Sequence, residues 1–350
     1  MPRELMGSET YRSTVEAACA LPLPWGKLRG ARVLLTGATG MIGSVLADLL
    51  MTRGDVFVTA LSRSEETMRL RFPSYFGQNR FSFLSQDIAS PMNTEETFDY
   101  IVHAAGNAHP VAYARDPVGT MNGAYLGAAN LLDYGHRHGT RRFMMVSSGE
   151  VYGQPSENMV GFSEEYSGYV DPMRSRSCYP SAKRAAETLC ASYRVQYGLD
   201  TVVARPCHIY GPSQTEGDSR AVSQFFRSAA AGADIVLKSK GEQVRSYCYA
   251  VDAASALVTI LLMGAGGEAY NIAERHSVVS IAELASLIAA EAEVAVRFEA
   301  PEEAERSGYT PVTRGVLRGE KLEALGWLAQ TSLSDGIART LAVLRTLETC

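Results

Sequence analysis

No stretch of the 350-residue chain runs for the ~18 uninterrupted apolar residues that a bilayer-spanning helix needs. A helical membrane protein is therefore not expected. The first thirty residues lack a basic start followed by an apolar run, so no secretory signal is expected either. The six cysteines (Cys19, Cys178, Cys190, Cys207, Cys248 and Cys350) include no C-x-x-C pair. That scatter argues against a disulfide framework or a zinc site and fits reduced thiols. An excess of one charge is also missing: 33 Lys and Arg face 38 Asp and Glu, a net charge of −5. With a pI near 5.8, no global field favours nucleic acid or an anionic membrane. Internal repeats and low-complexity tracts are absent as well. What is present, 46% hydrophobic residues, 31 glycines and 20% charged residues, suits a compact α/β enzyme, expected to be soluble and cytoplasmic.

Short apolar runs alternate with helix-length segments over the first two hundred residues. Arg32–Thr36, Asp55–Leu61, Phe81–Leu84, Tyr100–Ala104, Arg142–Ser147 and Thr201–Ala204 read as six strands. Met41–Arg53, Pro117–His136 and Ser181–Tyr197 read as helices between them. Strands that are apolar throughout and alternate with helices predict a parallel sheet buried on both faces, the doubly wound Rossmann arrangement. Before it, residues 1–28 hold an amphipathic stretch, Tyr11–Leu21, broken by Pro22 and Pro24, and read as a surface extension. Residues 29–205 are assigned to the dinucleotide-binding domain. Beyond residue 206 the rhythm loosens, and 206–350 is expected to be mainly a smaller substrate-binding lobe, interleaved with the first domain and lying over the carboxyl ends of the strands.

Between the first strand and first helix stands Thr36-Gly37-Ala38-Thr39-Gly40-Met41-Ile42-Gly43, a G-x-x-G-x-x-G variant of the dinucleotide fingerprint. Gly37 is expected to make the tight turn, Gly40 to let backbone approach a pyrophosphate, and Gly43 to let helix and strand pack closely. The helix-start amides of Met41, Ile42 and Gly43 would hold the phosphates. The second strand is followed by Ser62 and Arg63, with no carboxylate before Glu65. Those two residues could hold a 2′-phosphate, tilting the expectation between NAD and NADP toward NADP; alternatively Arg63 is solvated and stacks on adenine. Asp87 and Ile88 follow the third strand and would bracket the adenine. Ala104, Ala105 and Gly106 close the fourth, where small residues let backbone pass beside the cofactor.

Tyr179 and Lys183, four apart at a helix start, share one face. A phenol of pKa ~10 is a poor base at neutral pH, and a nearby ammonium stabilises its phenolate. The tyrosine can then take a proton from a sugar hydroxyl while hydride leaves the same carbon. The pair follows, by about thirty residues, a strand ending in Ser147-Ser148, whose hydroxyl could bond the reacting oxygen.

These motifs resemble the extended short-chain dehydrogenases of the NAD-dependent epimerase/dehydratase family, which modify nucleotide sugars. The resemblance spans about Leu28 to Thr340 and rests on the glycine turn together with four further stretches. They are Val146-Ser147-Ser148-Gly149-Glu150-Val151-Tyr152-Gly153, Cys178-Tyr179-Pro180-Ser181-Ala182-Lys183-Arg184, Arg205-Pro206-Cys207-His208-Ile209-Tyr210-Gly211-Pro212 and Gly241-Glu242-Gln243-Val244-Arg245-Ser246-Tyr247. Lys321-Leu322 and Leu325-Gly326-Trp327 look like the family's closing segment. The resemblance implies Ser148, Tyr179 and Lys183 as the catalytic triad. It implies Glu150 as the carboxylate seen in sugar-nucleotide dehydratases and UDP-glucuronate decarboxylases. Dehydratases usually carry an acid just before that glutamate; here the place is Gly149, which has no proton to give. Arg245 would contact the nucleotide diphosphate, and His208 stands where the family usually has a phosphate-touching asparagine. The helices at 117–136 and 181–197 would pair two copies into a homodimer, with the small residues Ala124, Gly127, Ala128, Ala185 and Ala186 allowing close approach at the seam.

The leading expectation is a tightly held nicotinamide cofactor and a transient 4-keto sugar, in a UDP-glucuronate decarboxylase-like enzyme. A nucleotide-sugar 4-epimerase, an NADPH-dependent keto-sugar reductase and a 4,6-dehydratase are the alternatives. A dinucleotide-sensing protein without catalysis would have no need of Ser148, Tyr179 and Lys183 together. No metal site is expected: His136 and His138 end a helix and complement its dipole. His103 and the pair Phe225-Phe226 read as core.

Overall fold

The computed structural model describes residues 3–215, 217–299 and 312–348. Its centre is a seven-stranded sheet. The strands are β1 (Arg32–Thr36), β2 (Phe57–Ser62), β3 (Phe81–Ser85), β4 (Tyr100–His103), β5 (Arg142–Val146), β6 (Thr201–Pro206) and a later strand, Ala269–Ile272. From edge to edge the order is Ala269–Ile272, β6, β5, β4, β1, β2, β3. Every pairing in it is parallel. The order reverses between β1 and β4, and crevices at such points are where doubly wound sheets take their ligands. The chain therefore adopts the expected Rossmann arrangement, with strand ends shifted by one or two residues.

Helices cover both faces because the strands are apolar on both. On one side α1 (Glu9–Cys19) and α2 (Met41–Arg53) pack, joined by the later helix Ala250–Met263. α3 (Glu65–Arg71) lies on that side too, its Arg71 reaching Asp48 of α2. On the other, α4 (Pro110–Arg115) leads into α5 (Pro117–Arg137), which lies against α6 (Cys178–Tyr197).

One expectation needs correction. Residues 1–28 are not a surface extension: Tyr11, Val15 and Leu28 are fully buried. The stripe Tyr11, Val15, Ala18, Cys19 recurs at helical spacing and seats α1 against α2. The sheet also draws on the later half of the chain. β6 runs through Pro206, and the helix Ala250–Met263 and strand Ala269–Ile272 return from the later half to complete the sheet. That helix (AVDAASALVTILLM) is buried from Ala250 to Leu262, its polar Asp252, Ser255 and Thr259 included, so it has no solvent-facing stripe to mark it.

A polar cluster lies under α1. Asp48 of α2, fully buried, accepts from Tyr11 Oη at 2.7 Å, Tyr75 Oη at 3.0 Å and Arg71 Nη2 at 2.5 Å. Arg71 is 3% exposed. Removing one partner of a buried pair strands the other charge, so Arg71→Met is expected to lower unfolding stability by about 3–5 kcal/mol, read from urea melts.

Beyond β6 the chain forms β7 (His208–Tyr210), α7 (Ala221–Ala230), β8 (Ile235–Leu237) and β9 (Val244–Tyr249). β7 pairs with β9, which also pairs with Val278–Ser280 and Arg314–Gly315. This second small sheet brings His208 and Arg245 toward the carboxyl ends of β1, β4 and β5. Phe225 and Phe226 of α7 are core, and His103 is fully buried against Thr36 Oγ1 at 2.9 Å.

Candidate active site

The first wall of the site is the turn after β1. Gly37 sits at φ +70°, and a Cβ there would lie 2.7 Å from the backbone of Ala104 and Ala105. Ala105 N donates to Thr36 Oγ1 at 3.2 Å, so the β1 and β4 ends are stitched together beneath the crevice. Gly43, in the first turn of α2, backs directly onto the Gly37 carbonyl. Gly40 has ordinary extended φ, so its use is the bare surface it presents and not an unusual backbone. Among the described residues no side chain caps α2, leaving its first amides facing the crevice. Those features, a bare helix start over a cradle that any Cβ would fill, fit a dinucleotide pyrophosphate. Gly37→Ala is expected to abolish retention of nicotinamide nucleotide, because the methyl group collides with fixed backbone at a left-handed position. Nucleotide released on denaturation, compared with wild type, checks it.

A cavity of about 830 Å³ opens above this turn, and Gly37, Gly40, Met41, Ile42, Gly43, Ala104 and Gly106 line its cofactor side. Thr39, Ala105, Ser62, Arg63, Asp87 and Ile88 are not part of that lining. Ser62 ends β2 and Arg63 is exposed beyond it. Asp87 is exposed, with Oδ1 accepting from Ala89 N, while Ile88 is buried against Gly127 of α5.

The opposite wall holds Ser148, Glu150, Tyr179 and Lys183. Lys183 is 3% exposed, and its Nζ donates to the Val146 carbonyl, the last of β5, at 2.8 Å. Burial brings its pKa down to about 8, partly countered by Glu187. Its Nζ stands 5.9 Å from the centre of the Tyr179 ring. Tyr179 is 6% exposed. Burial, with Glu150 adding to it, pushes the phenol up to about 12; a hydrogen bond with Ser148 and the charges of Arg220 and Arg176 act the other way. Ser148 caps the short turn Gly149–Tyr152, its Oγ accepting from Glu150 N at 3.1 Å. One turn thus delivers Ser148, Gly149 and Glu150 to the cavity together.

Glu150 does not stand alone: its Oε1 accepts from Arg176 Nη2 at 2.9 Å. Tyr113, on α4, stacks on Tyr179 with ring centres 4.7 Å apart. Sequence reasoning missed Arg176, Tyr113 and Arg220, all of which line the cavity. The only signal for Arg176 was a basic residue just before Y-x-x-x-K, and nothing local pointed to Tyr113 or Arg220. Gly149 is covered by Leu317, whose methyl carbons lie 3.1 Å from where a Cβ would be. An acid at 149 therefore needs Leu317 to move as well as a mutation.

At the far end His208 and Arg245 line the cavity. Burial, then Arg245 and Arg220, push His208 down to about 3, so its imidazole is neutral, and its buried Nδ1 has no partner among the described residues. Arg245, 3% exposed, donates to the Val312, Thr313 and Val244 carbonyls. No cluster of three metal-ligating side chains occurs among the described residues.

A Rossmann sheet whose glycine cradle opens onto a serine, a tyrosine and a lysine defines a nicotinamide-dependent dehydrogenase of the short-chain type. The chain belongs to the NAD dependent epimerase/dehydratase family, whose model matches residues 33–273. It is similar to UDP-glucuronic acid decarboxylase 1 of Xenopus tropicalis, 32% identical over 323 residues, covering 90% of this chain and 72% of that protein. It is equally similar to UDP-glucuronic acid decarboxylase 6 of Arabidopsis thaliana, 32% identical over 309 residues, with 87% and 86% covered. Among solved structures, the dTDP-glucose 4,6-dehydratase of Streptomyces venezuelae with NAD bound superposes with a TM-score of 0.78 at 25% identity, covering 91% of this chain and 98% of that one. The UDP-glucuronic acid 4-epimerase of Bacillus cereus, in complex with UDP-glucuronic acid and NAD, shares the fold at TM-score 0.77 and 22% identity, with 90% and 99% covered.

Proposed function

We propose that the protein is a nucleotide-sugar decarboxylase that converts UDP-glucuronate to a UDP-pentose and carbon dioxide. The observation that supports this most is the shared turn that sets Ser148 and Glu150 in one cavity with Tyr179 and Lys183, and leaves Gly149 without a proton to give. The bound nicotinamide would accept hydride from C4 of the sugar and later return it. Tyr179 takes the C4 hydroxyl proton, Ser148 holds that oxygen, and the Lys183 ammonium favours the phenolate. The C4 ketone lies β to the C6 carboxylate, so the C5–C6 bond can break, carbon dioxide leaves, and the electron pair is held as the enolate. A proton then returns to C5. Glu150, fixed by Arg176, lies beside this chemistry. His208 and Arg245 are assigned to the diphosphate, and Arg63, exposed past β2, to the adenosine ribose or its 2′-phosphate.

Denaturing the purified protein and weighing the released nucleotides by mass spectrometry tests cofactor and substrate together. NADP would place Arg63 at the 2′-phosphate, NAD would leave it only the ribose, and no nicotinamide nucleotide at all would contradict tight retention.

The quaternary state belongs to the same proposal. The small residues Ala124, Gly127, Ala128 and Ala186 face inward and are buried, so they do not form the outer seam expected of them; only Ala185 is exposed. The outward face of α5 and α6 instead shows Val118, Met121, Tyr125 and Val195, 67%, 43%, 40% and 88% exposed. A homodimer closing on this face should sediment as two chains at micromolar concentration, and a strictly monomeric mass would count against it. No helix among the described residues is long and apolar enough to cross a membrane.

A further inference from the structure

Placing a carboxylate beside a phenol that must ionise is an electrostatic conflict, because Glu150 disfavours the phenolate that Tyr179 has to become. We propose that Arg176 and Tyr113 are positioning residues that resolve this conflict: Arg176 cancels the charge of Glu150 as Tyr179 feels it, and Tyr113 holds both Arg176 and Tyr179 in place.

The geometry is a continuous column. The Arg176 guanidinium is ion-paired to Glu150 at 2.9 Å and lies over the Tyr113 ring, 4.6 Å from its centre. The other stacking partner of Tyr113 is Tyr179, at 4.7 Å and 21°. Tyr113 is 3% exposed and clusters with Cys178 and Tyr179, so it has no room to rotate away. An arginine flat on an aromatic ring gains cation–π attraction and keeps its fork free to bind a carboxylate. Arg176 and Glu150 are half-buried, at 17% and 32% side-chain exposure, so their charges are screened less than on an open surface. Little chain is needed to build this, because Arg176 is three residues before Tyr179 and the turn Ser175–Ser177 aims it backward over α4.

The charged groups around Tyr179 act in opposite directions. Glu150, from the turn after β5, opposes ionisation; Arg176, before α6, and Arg220, before α7, favour it. Lys183 stands one turn along on the same helix, and Tyr113 adds a neutral ring from α4. Removing Arg176 alone leaves the carboxylate uncompensated, whereas removing Glu150 and Arg176 together removes two opposite charges and returns the balance.

The inference rests on Tyr179 being the base and is independent of which sugar is bound. Its test therefore uses no substrate. In protein carrying tyrosine labelled at Cζ with carbon-13, the Tyr179 signal is identified by its loss in Tyr179→Phe, and its titration is followed by NMR. Glu150→Gln should move the midpoint down by about one pH unit and Arg176→Met should move it up by about as much. The double variant should return to within a few tenths of a unit of wild type, and Arg176→Lys, which keeps the charge, should stay near wild type. A Tyr179 midpoint indifferent to Glu150→Gln, or a double variant no closer to wild type than the singles, would overturn the proposal. If Arg176→Met does not fold, the downward shift in Glu150→Gln and the neutrality of Arg176→Lys decide it. Absence of turnover on UDP-glucuronate would sink the decarboxylase reading and leave this titration untouched.

Discussion

Tyr179→Phe is expected to fold, to retain its nicotinamide nucleotide, and to turn over ~10²–10⁴-fold more slowly than wild type. The ring is what the structure uses for packing: it is buried and stacked on Tyr113, and phenylalanine preserves both the burial and the stack. The hydroxyl is what the proposed chemistry uses, and without it the hydrogen bond with Ser148 cannot form. Burial holds the phenol at about 12, so the ionised fraction at neutral pH is small and grows tenfold with each unit of pH. Lys183 keeps its proton up to about 8. The rate of C4 oxidation should therefore climb as pH rises toward about 8, then flatten as the ammonium is lost. Circular dichroism and thermal melts indistinguishable from wild type, with the rate loss, would complete the result. Retention of most activity would remove Tyr179 from the role of base.

The second large effect is expected at Glu150. Glu150→Gln keeps the side chain's size and breaks the ion pair with Arg176. Proton removal from the C4 hydroxyl does not need the carboxylate, so the first oxidation should proceed. The later steps at C5 should fail, and overall turnover should fall by about 10²-fold or more. On mixing with substrate the nicotinamide absorbance should rise and remain high, where wild type shows only a brief or invisible rise. A simple 4-epimerase has little use for this carboxylate, because its ketone only has to turn before hydride returns. Unchanged turnover in Glu150→Gln would make 4-epimerisation the better account.

Much of the sheet was legible because each strand from β1 to β6 is a short apolar run followed by a turn or helix signal. The seventh strand and the buried helix before it were not legible. Ala250–Met263 is buried on every side from Ala250 to Leu262, its few polar residues included, so it lacks the charged, solvent-facing stripe that marks a surface helix. Residues 1–28 misled for the opposite reason: a short amphipathic helix followed by two prolines looks detachable, and only the partner residues Asp48, Arg71 and Tyr75, distant in sequence, reveal that it is fastened. In the site, Gly37 and Ser148 could be named because each follows closely on a strand, and Tyr179 and Lys183 because they stand four apart at a helix start. Tyr113 and Arg220 could not, because separate segments bring them to the cavity, and Arg176, although three residues before Tyr179, gains its meaning only from the pairing with Glu150 of another segment. The inward burial of Ala124, Gly127 and Ala128 likewise follows from which side of α5 meets the sheet, and small residues serve either side equally well.

The central claim is bond breaking at C5 after oxidation at C4, and one measurement addresses it most directly. The purified protein, with the nucleotide it retains, is incubated with UDP-glucuronate, and the sugar nucleotide is weighed by mass spectrometry alongside capture of released gas. The expected result is loss of one carbon dioxide per sugar, with a UDP-pentose as product and no net consumption of added nicotinamide nucleotide. A product of unchanged mass, or one lighter by water, would contradict it.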